Sequence, residues 1–338
     1  MVSDTKRHKR GKEAQRPKQI PWKGWKQIAR RIFKGLKVNN VRVVSAGVAF
    51  FFFMSLFPIM AAITSVYGLV TDLAQIEKQI AMMTNILPGE AQQIVSDFLT
   101  NLTLKSNEKL SFSLIFSSLI TLFLANRGTV ALFEGINIVY NESNKRNLFQ
   151  KLGITLLFTI GGIIAIITGL VLVAGIPAIV NRLPISDYLH NMIVWLRWPL
   201  IAAGIILFLG FTYKIAPQRK NPRFSWVSWG AVVSTLLWVG GSILFSLYIN
   251  NFTNFDKTYG SFAAIIILML WFFLTSFIIM LGAVINSEME HQTRIDTTVG
   301  DQKPIGERGA FYADHVAGDY NKKETDQYTG KKEPNNTD

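Results

Sequence analysis

The stretch TYGSFAAIIILMLWFFLTSFIIMLGAVINS, residues 258–287, carries no formal charge over 30 positions. A helix needs about 20 apolar residues to cross the hydrocarbon of a bilayer, so this stretch can span with tilt to spare. Others resemble it. VVSAGVAFFFFMSLFPIMAAITSVYGLV (43–70) lies within 29 uncharged residues between Arg42 and Asp72, 30 more separate Lys151 from Arg182, and 32 follow Arg223. Two weaker segments complete the pattern. LSFSLIFSSLITLFLAN fills the 17 positions between Lys109 and Arg127, and the run from about Met192 to Tyr213 contains Arg197 near one end, where a long side chain reaches headgroups. The chain therefore reads as all-α, a polytopic integral membrane helical bundle of about six transmembrane helices.

Charge distribution agrees with that reading. The 338 residues are 49% hydrophobic and 17% charged, against about 25% charged in a soluble domain. Residues 1–42 hold 14 Lys or Arg and two acids, and residues 286–338 hold 11 acids and seven bases, which leaves 23 charges for the 243 positions between. A net charge of +13 would suggest nucleic acid in a soluble chain. Here the excess precedes the first span, so the expected partners are membrane lipids, anionic phospholipids above all at the basic N-terminal segment, with envelope proteins or a second copy of the chain beside them and no nucleic acid. Residues 141–151 carry three bases and one acid, and KIAPQRKNPR (214–223) four bases and no acid. The positive-inside rule places both loops, and with them both termini, on the cytoplasmic side of the membrane.

Segment by segment, residues 1–19 read as a disordered basic tail. Residues 20–38 read as an amphipathic helix on the membrane surface, with Trp22, Trp25, Ile28, Ile32, Phe33 and Leu36 at helical spacing and Lys23, Lys26, Arg30, Lys34 and Lys37 between them. Docking of that helix on the protein's own loops is the alternative. The transmembrane domain occupies 39–292 and includes an outer amphipathic helical pair at 73–108, broken by PGE at 88–90. Residues 293–338 read as a mostly disordered cytoplasmic tail, with a small docked helix around Phe311 as an option.

The unusual residues cluster in NRGTVALFEGINIVYNESNKR, 126–146. Asn126, Val130, Glu134, Asn137 and Asn141 follow one another at steps of three or four, one strip of a helix, and Arg127 precedes Glu134 by two turns. A carboxylate facing lipid is costly, so Glu134 is expected to pair, protonate or face a polar interior. The strip is either the polar lining of a substrate path or an amide and ion-pair network that holds helices in register. Arg197, Tyr259, Asn286 and Glu288 are further candidates; Asn286 and Glu288, with Glu290 just beyond, read either as a cytoplasmic mouth formed with Arg127 or the 214–223 loop or as an ordinary helix end. No catalytic residue, cofactor or metal site is expected. There is no Cys, the four His lie apart without paired spacing, and neither a phosphate-binding glycine loop nor a G-x-S-x-G elbow occurs.

Three segments, SAGVAFFFFMSLFPIMAAITSVYG (45–68), NRGTVALFEGINIVYN (126–141) and YGSFAAIIILMLWFFLTSFIIMLGAVINSEME (259–290), resemble the signature regions of the BrkB/YihY family of bacterial inner membrane proteins. YKIAPQRKNPRFSWVSWGAVVSTLLW (213–238) is similar to that family's basic loop and fifth span, so the resemblance covers about residues 25–292. It implies six helices with cytoplasmic ends and carries the family pattern onto Phe57, Pro58, Arg127, Gly128, Asn137, Pro217, Trp238, Tyr259, Gly260, Gly282 and Asn286. Two positions depart from the pattern: Val284 stands where members usually have an acid, and Phe51 and Phe52 where they often have Tyr. The family's old ribonuclease label finds no help here, because nuclease chemistry needs clustered carboxylates or histidines holding metal. Some members look like participants in envelope lipid or lipopolysaccharide export. The functional expectation is a membrane transporter or handler of a lipid or amphipathic anion, not an enzyme, with a non-transporting scaffold for envelope assembly as the alternative.

Overall fold

A computed structural model describes residues 11–70, 110–180, 184, 186–251 and 262–317. The expected outer helical pair at 73–108, Tyr259 and the chain beyond 317 lie outside these residues. Within them the protein is helical: α1 Trp22–Val38, α2 Val41–Val70, α3 Leu110–Val139, α4 Leu148–Leu170, a π turn at Val171–Gly175 leading into α5 Ile176–Val180, α6 Asp187–Ile215, α7 Phe224–Asn251, α8 Phe262–Glu290 and α9 Phe311–Asp314. Four stretches, Leu148–Val173, Asp187–Ile215, Phe224–Ile249 and Phe262–Glu290, are long and apolar enough to cross a membrane. A fifth is added if α1 and the first half of α2, bent by 62°, count as one.

The six long helices close into a ring. α2 packs on α3, α3 on α4, α4 on α6, α6 on α7, α7 on α8 and α8 back on α2, with α8 also touching α3. Burial is concentrated toward one end. There Val41 and Val48 of α2, Phe133 and Ile136 of α3, Tyr213 of α6, Val227 and Ala231 of α7, and Met280, Ala283 and Val284 of α8 form one core. Toward the other end, Phe116, Ile164, Trp195, Leu236 and Leu244 are exposed. Apolar surface of this extent suits lipid.

Glycine makes the packed end possible. A Cβ added at Gly282 would clash with Ser234 Oγ and Tyr213 Oη, and one at Gly230 would clash with the Gly282 carbonyl oxygen. α7 and α8 thus meet backbone to backbone, where close contact supplies what hydrophobic burial supplies in water.

The described parts of the terminal segments, 11–20 and 293–317, pack against the rest of the protein. Ala14 and Ile20 join Ile28, Trp226, Ile285 and Met289 in a second core. The Arg294 N–H donates to the Lys12 carbonyl at 2.8 Å, and Thr293 Oγ1 to that of Ala14 at 2.7 Å. Residues 293–317, expected to be disordered, form a strap over the packed end, held by Lys220 N–H to Gly309 O (2.9 Å), Arg223 N–H to Thr297 O (2.8 Å) and Val299 N–H to Asn221 O (2.9 Å). Buried Arg308 donates to the carbonyls of Lys303, Ala313 and Arg294. The strap contains the small helix around Phe311. Its order comes from backbone hydrogen bonds to distant segments, which a low apolar content does not announce.

Candidate functional site

The loops 140–147 and 216–223, the strap and the N-terminal segment gather at the packed end of the ring. α6 ends in this knot, and its terminal carbonyls are capped from outside the helix, as orphan carbonyls must be. Arg146 donates to Ile215 O at 2.7 Å and to Ala216 O at 3.1 Å. Asn137 reaches across from α3, donating to Ala216 O at 3.2 Å and accepting from Gln218 N–H at 2.8 Å. Asn286, on α8, clamps α7 by accepting from Gly230 N–H at 2.8 Å and donating to Val227 O at 3.0 Å.

Two ion pairs close the knot. Arg31 of α1 donates to Glu288 Oε2 at 2.6 Å, to Glu288 O at 3.0 Å and to Gln292 Oε1 at 2.7 Å. Arg219 and Glu290 are paired through both terminal guanidinium nitrogens, with side chains 1% and 0% exposed. The Arg219 guanidinium lies 4.1 Å over the Tyr140 ring. Burial works against its charge, yet the adjoining Glu290 carboxylate more than offsets this and holds the guanidinium protonated. Burial pushes the Tyr140 phenol far above its ordinary value. Glu142 is raised by partial burial, although it accepts from Phe311 N–H at 2.7 Å.

The polar strip on α3 is divided. Asn126 is buried and donates to Thr155 Oγ1 at 3.0 Å and Thr159 Oγ1 at 3.4 Å of α4, and Asn137 is buried in the knot. Glu134 and Asn141 are exposed. At about 100° per residue the strip drifts through about 80° from Asn126 to Glu134, enough to cross from the buried to the open side of the helix. The open side is a stripe of its own: Phe116, Ile120, Phe123, Arg127, Glu134 and Ile138 are all exposed. Glu134 pairs with Lys151 of α4, not with Arg127. Arg127 lies 4.8 Å over Phe123 and has no carboxylate partner among the described residues. Arg197 is turned to the protein, donating to Val173 O in the π turn at 2.9 Å.

Of the expected residues, then, Asn137, Asn286 and Glu288 come together in one knot, while Asn126, Arg127 and Arg197 stand apart. Asn141, with a φ of +54°, lines a surface cavity of about 520 Å³ with Asn39, Asn40 and Glu142. Sequence reasoning missed Arg31 and did not single out Arg219 within the 214–223 loop; Glu290, expected beside that loop at the inner end of α8, does meet it, through Arg219. Arg31 had one visible signal, a cation on the Gly24, Ile28, Gly35 side of α1. Arg219 had none beyond its place in a basic loop. Among the described residues no group of His, Asp or Glu is arranged to hold a metal ion.

Comparison with known proteins agrees with a membrane protein. The chain is 30% identical over 277 residues to the ribonuclease-like protein YfkH of Bacillus subtilis, which covers 79% of this chain and 96% of that one. It is 23% identical over 215 residues to a UPF0761 membrane protein of Idiomarina loihiensis, covering 62% and 71% of the two chains. A UPF0761 membrane protein of Psychromonas ingrahamii is 25% identical over 275 residues, covering 77% and 86%. No solved structure matches the chain. With apolar helices of spanning length, membrane proteins among its relatives, and residues 32–304 matched by the family model described as virulence factor BrkB, the chain is a multi-pass membrane protein that belongs to that family.

Proposed function

We propose that this protein handles a lipid or amphipathic anion in the bacterial cell membrane, with Arg127 as the contact for the anionic group. The observation that carries the reading is an exposed guanidinium with no acidic partner among the described residues, on a helix face that also presents Phe116, Ile120, Phe123 and Ile138 and whose Glu134 is paired with Lys151. A cation on a lipid-facing helix costs about 2.5–3.5 kcal/mol at the bilayer centre and, unless it meets a headgroup or ligand, has no reason to be there. Phe123, Ile120 and Phe116 continue the stripe and suit an acyl chain, and Lys151 neutralises the carboxylate of Glu134 that would repel an anion. The chain has no nucleotide-binding motif, so uphill movement would draw on an ion gradient or a partner.

Six spans with both termini in the cytoplasm belong to the same proposal. Support comes from parity. The segments around Lys12 and Arg294 hydrogen-bond each other and so share one side of the membrane, which requires an even number of crossings between them. Counting α2 with the four apolar stretches makes five, and α3, 30 residues long, supplies the sixth. The loops gathered at that side are the basic ones, which points to the cytoplasm.

The test is translocation of fluorescent anionic and zwitterionic phospholipids in proteoliposomes. Transfer above empty vesicles is expected, and its loss in Arg127→Gln with the fold intact. No transfer, with or without an imposed ion gradient, would sink movement of these lipids. It would favour the second reading, a scaffold for envelope assembly, for which the ordered strap is a ready platform. In that case removing residues 293–317 should abolish function while Arg127→Gln leaves it intact.

A further inference from the structure

The cations of α1 divide by face. Arg31 turns inward to Glu288 and Gln292, while Gly24, Ile28 and Gly35 set the same side of the helix against the bundle; a Cβ on Gly35 would come within 3.6 Å of Val284. The rotation of α1 about its axis is thereby settled. On the opposite face Lys23, Lys26, Arg30, Lys34 and Lys37 are exposed, and their side chains have no hydrogen-bond or ion-pair partner among the described residues. The same face exposes Trp22 at 81% and Phe33 at 76%. A surface meant only for water would carry the lysines without the rings. A contact with a second copy through this face would set five cations against five, which the symmetry of such a dimer makes unavoidable.

The elbow directs this face. Asn40, with a φ of +48° that Asn tolerates well, follows α1, and the helix axis turns by 62° into α2. A helix steeply inclined to a span at its own end lies along the bilayer surface. We propose that the outer face of α1 is a docking surface for an anionic lipid leaflet, with Trp22 and Phe33 among the upper acyl carbons and the five cations at lipid phosphates. The occupant is lipid in bulk, bound at α1, and the surface is independent of Arg127.

The chain contains no cysteine, so a single introduced thiol reports from one place. Ala29→Cys, on the exposed face, is labelled with an environment-sensitive dye in the full-length protein held in nanodiscs of phosphatidylcholine, with or without phosphatidylglycerol. Phosphatidylglycerol should shift the emission to the blue and shield the dye from acrylamide. Both effects should vanish at about 0.5 M salt, where screening is short-ranged, and in a variant with the five outward cations changed to Gln and Arg31 kept. Arg127→Gln should leave both effects in place, which separates this surface from the lipid-handling stripe. Emission and quenching that ignore phosphatidylglycerol in the otherwise unaltered protein would overturn the proposal. Should the five-fold variant fail to fold, the salt titration decides alone.

Discussion

Gly282 shows how little room single residues have at the packed end. A methyl group there meets Ser234 Oγ and Tyr213 Oη at less than contact distance, and both oxygens are engaged: Tyr213 donates to Ile279 O at 2.8 Å and Ser234 to Ile278 O at 3.1 Å. Overpacking of this kind costs about 1–3 kcal/mol. Gly282→Ala should therefore lower the melting temperature in detergent, whereas Gly240→Ala, with nothing within 4 Å of the new Cβ, should leave it unchanged or raise it slightly. The Arg219–Glu290 pair gives a larger effect. Arg219→Ala strands a carboxylate that is 0% exposed, and stranding a buried charge costs about 3–5 kcal/mol. The Arg219→Met, Glu290→Leu double variant removes both charges and should recover most of that loss in denaturant titrations.

The helices and the strap have separable strengths. Glu134 is half exposed, so its pair with Lys151 is a surface pair, worth under about 1 kcal/mol. Lys151→Ala should barely move stability, and any larger effect on lipid transfer would then belong to function. The strap is anchored through Asp296, which accepts from the backbone N–H groups of Thr298 at 2.9 Å and Lys303 at 3.1 Å. Burial opposes the charge, but these hydrogen bonds outweigh it and hold the carboxyl below its ordinary value of 3.8. A group depressed on folding stabilises above its unfolded value and loses that contribution as pH falls through its folded value. Cleavage of the strap by pepsin should accordingly be slow near pH 3.8 and accelerate below it. Asp296→Asn should show faster hydrogen exchange over 296–303 already at neutral pH.

For the whole molecule the testable quantity is sidedness. Single cysteines at Lys12 and Lys303 should react with an impermeant maleimide from one side of sealed vesicles, and one at Ser186 from the other. Labelling of Lys12 and Lys303 from opposite sides would refute the even number of crossings. The helical architecture and membrane residence were legible from the charge-free runs, because a run of 30 uncharged, mostly apolar residues is most stable as a helix in lipid. Asn137 and Asn286 were legible as polar groups that must be satisfied, and the small helix at Phe311 as an option. Much of the candidate site was not. Asn126 and Glu134 look like one strip in sequence, and only the packing of α4 against α3 reveals that the edge of the buried surface runs between them. Arg219 and Glu290 are 71 positions apart and look like ordinary flanking charges. The order of 11–19 and 293–317 depends on contacts far apart in sequence, of 12–14 with 293–294 and of 297–309 with the 220–223 loop. Local composition thus determined which segments enter lipid, since transfer free energy is a sum over each segment's own residues. Tertiary structure decided which polar groups are spent on holding the helices together and which, like Arg127, are left facing outward, since pairing depends on neighbours that sequence distance does not report.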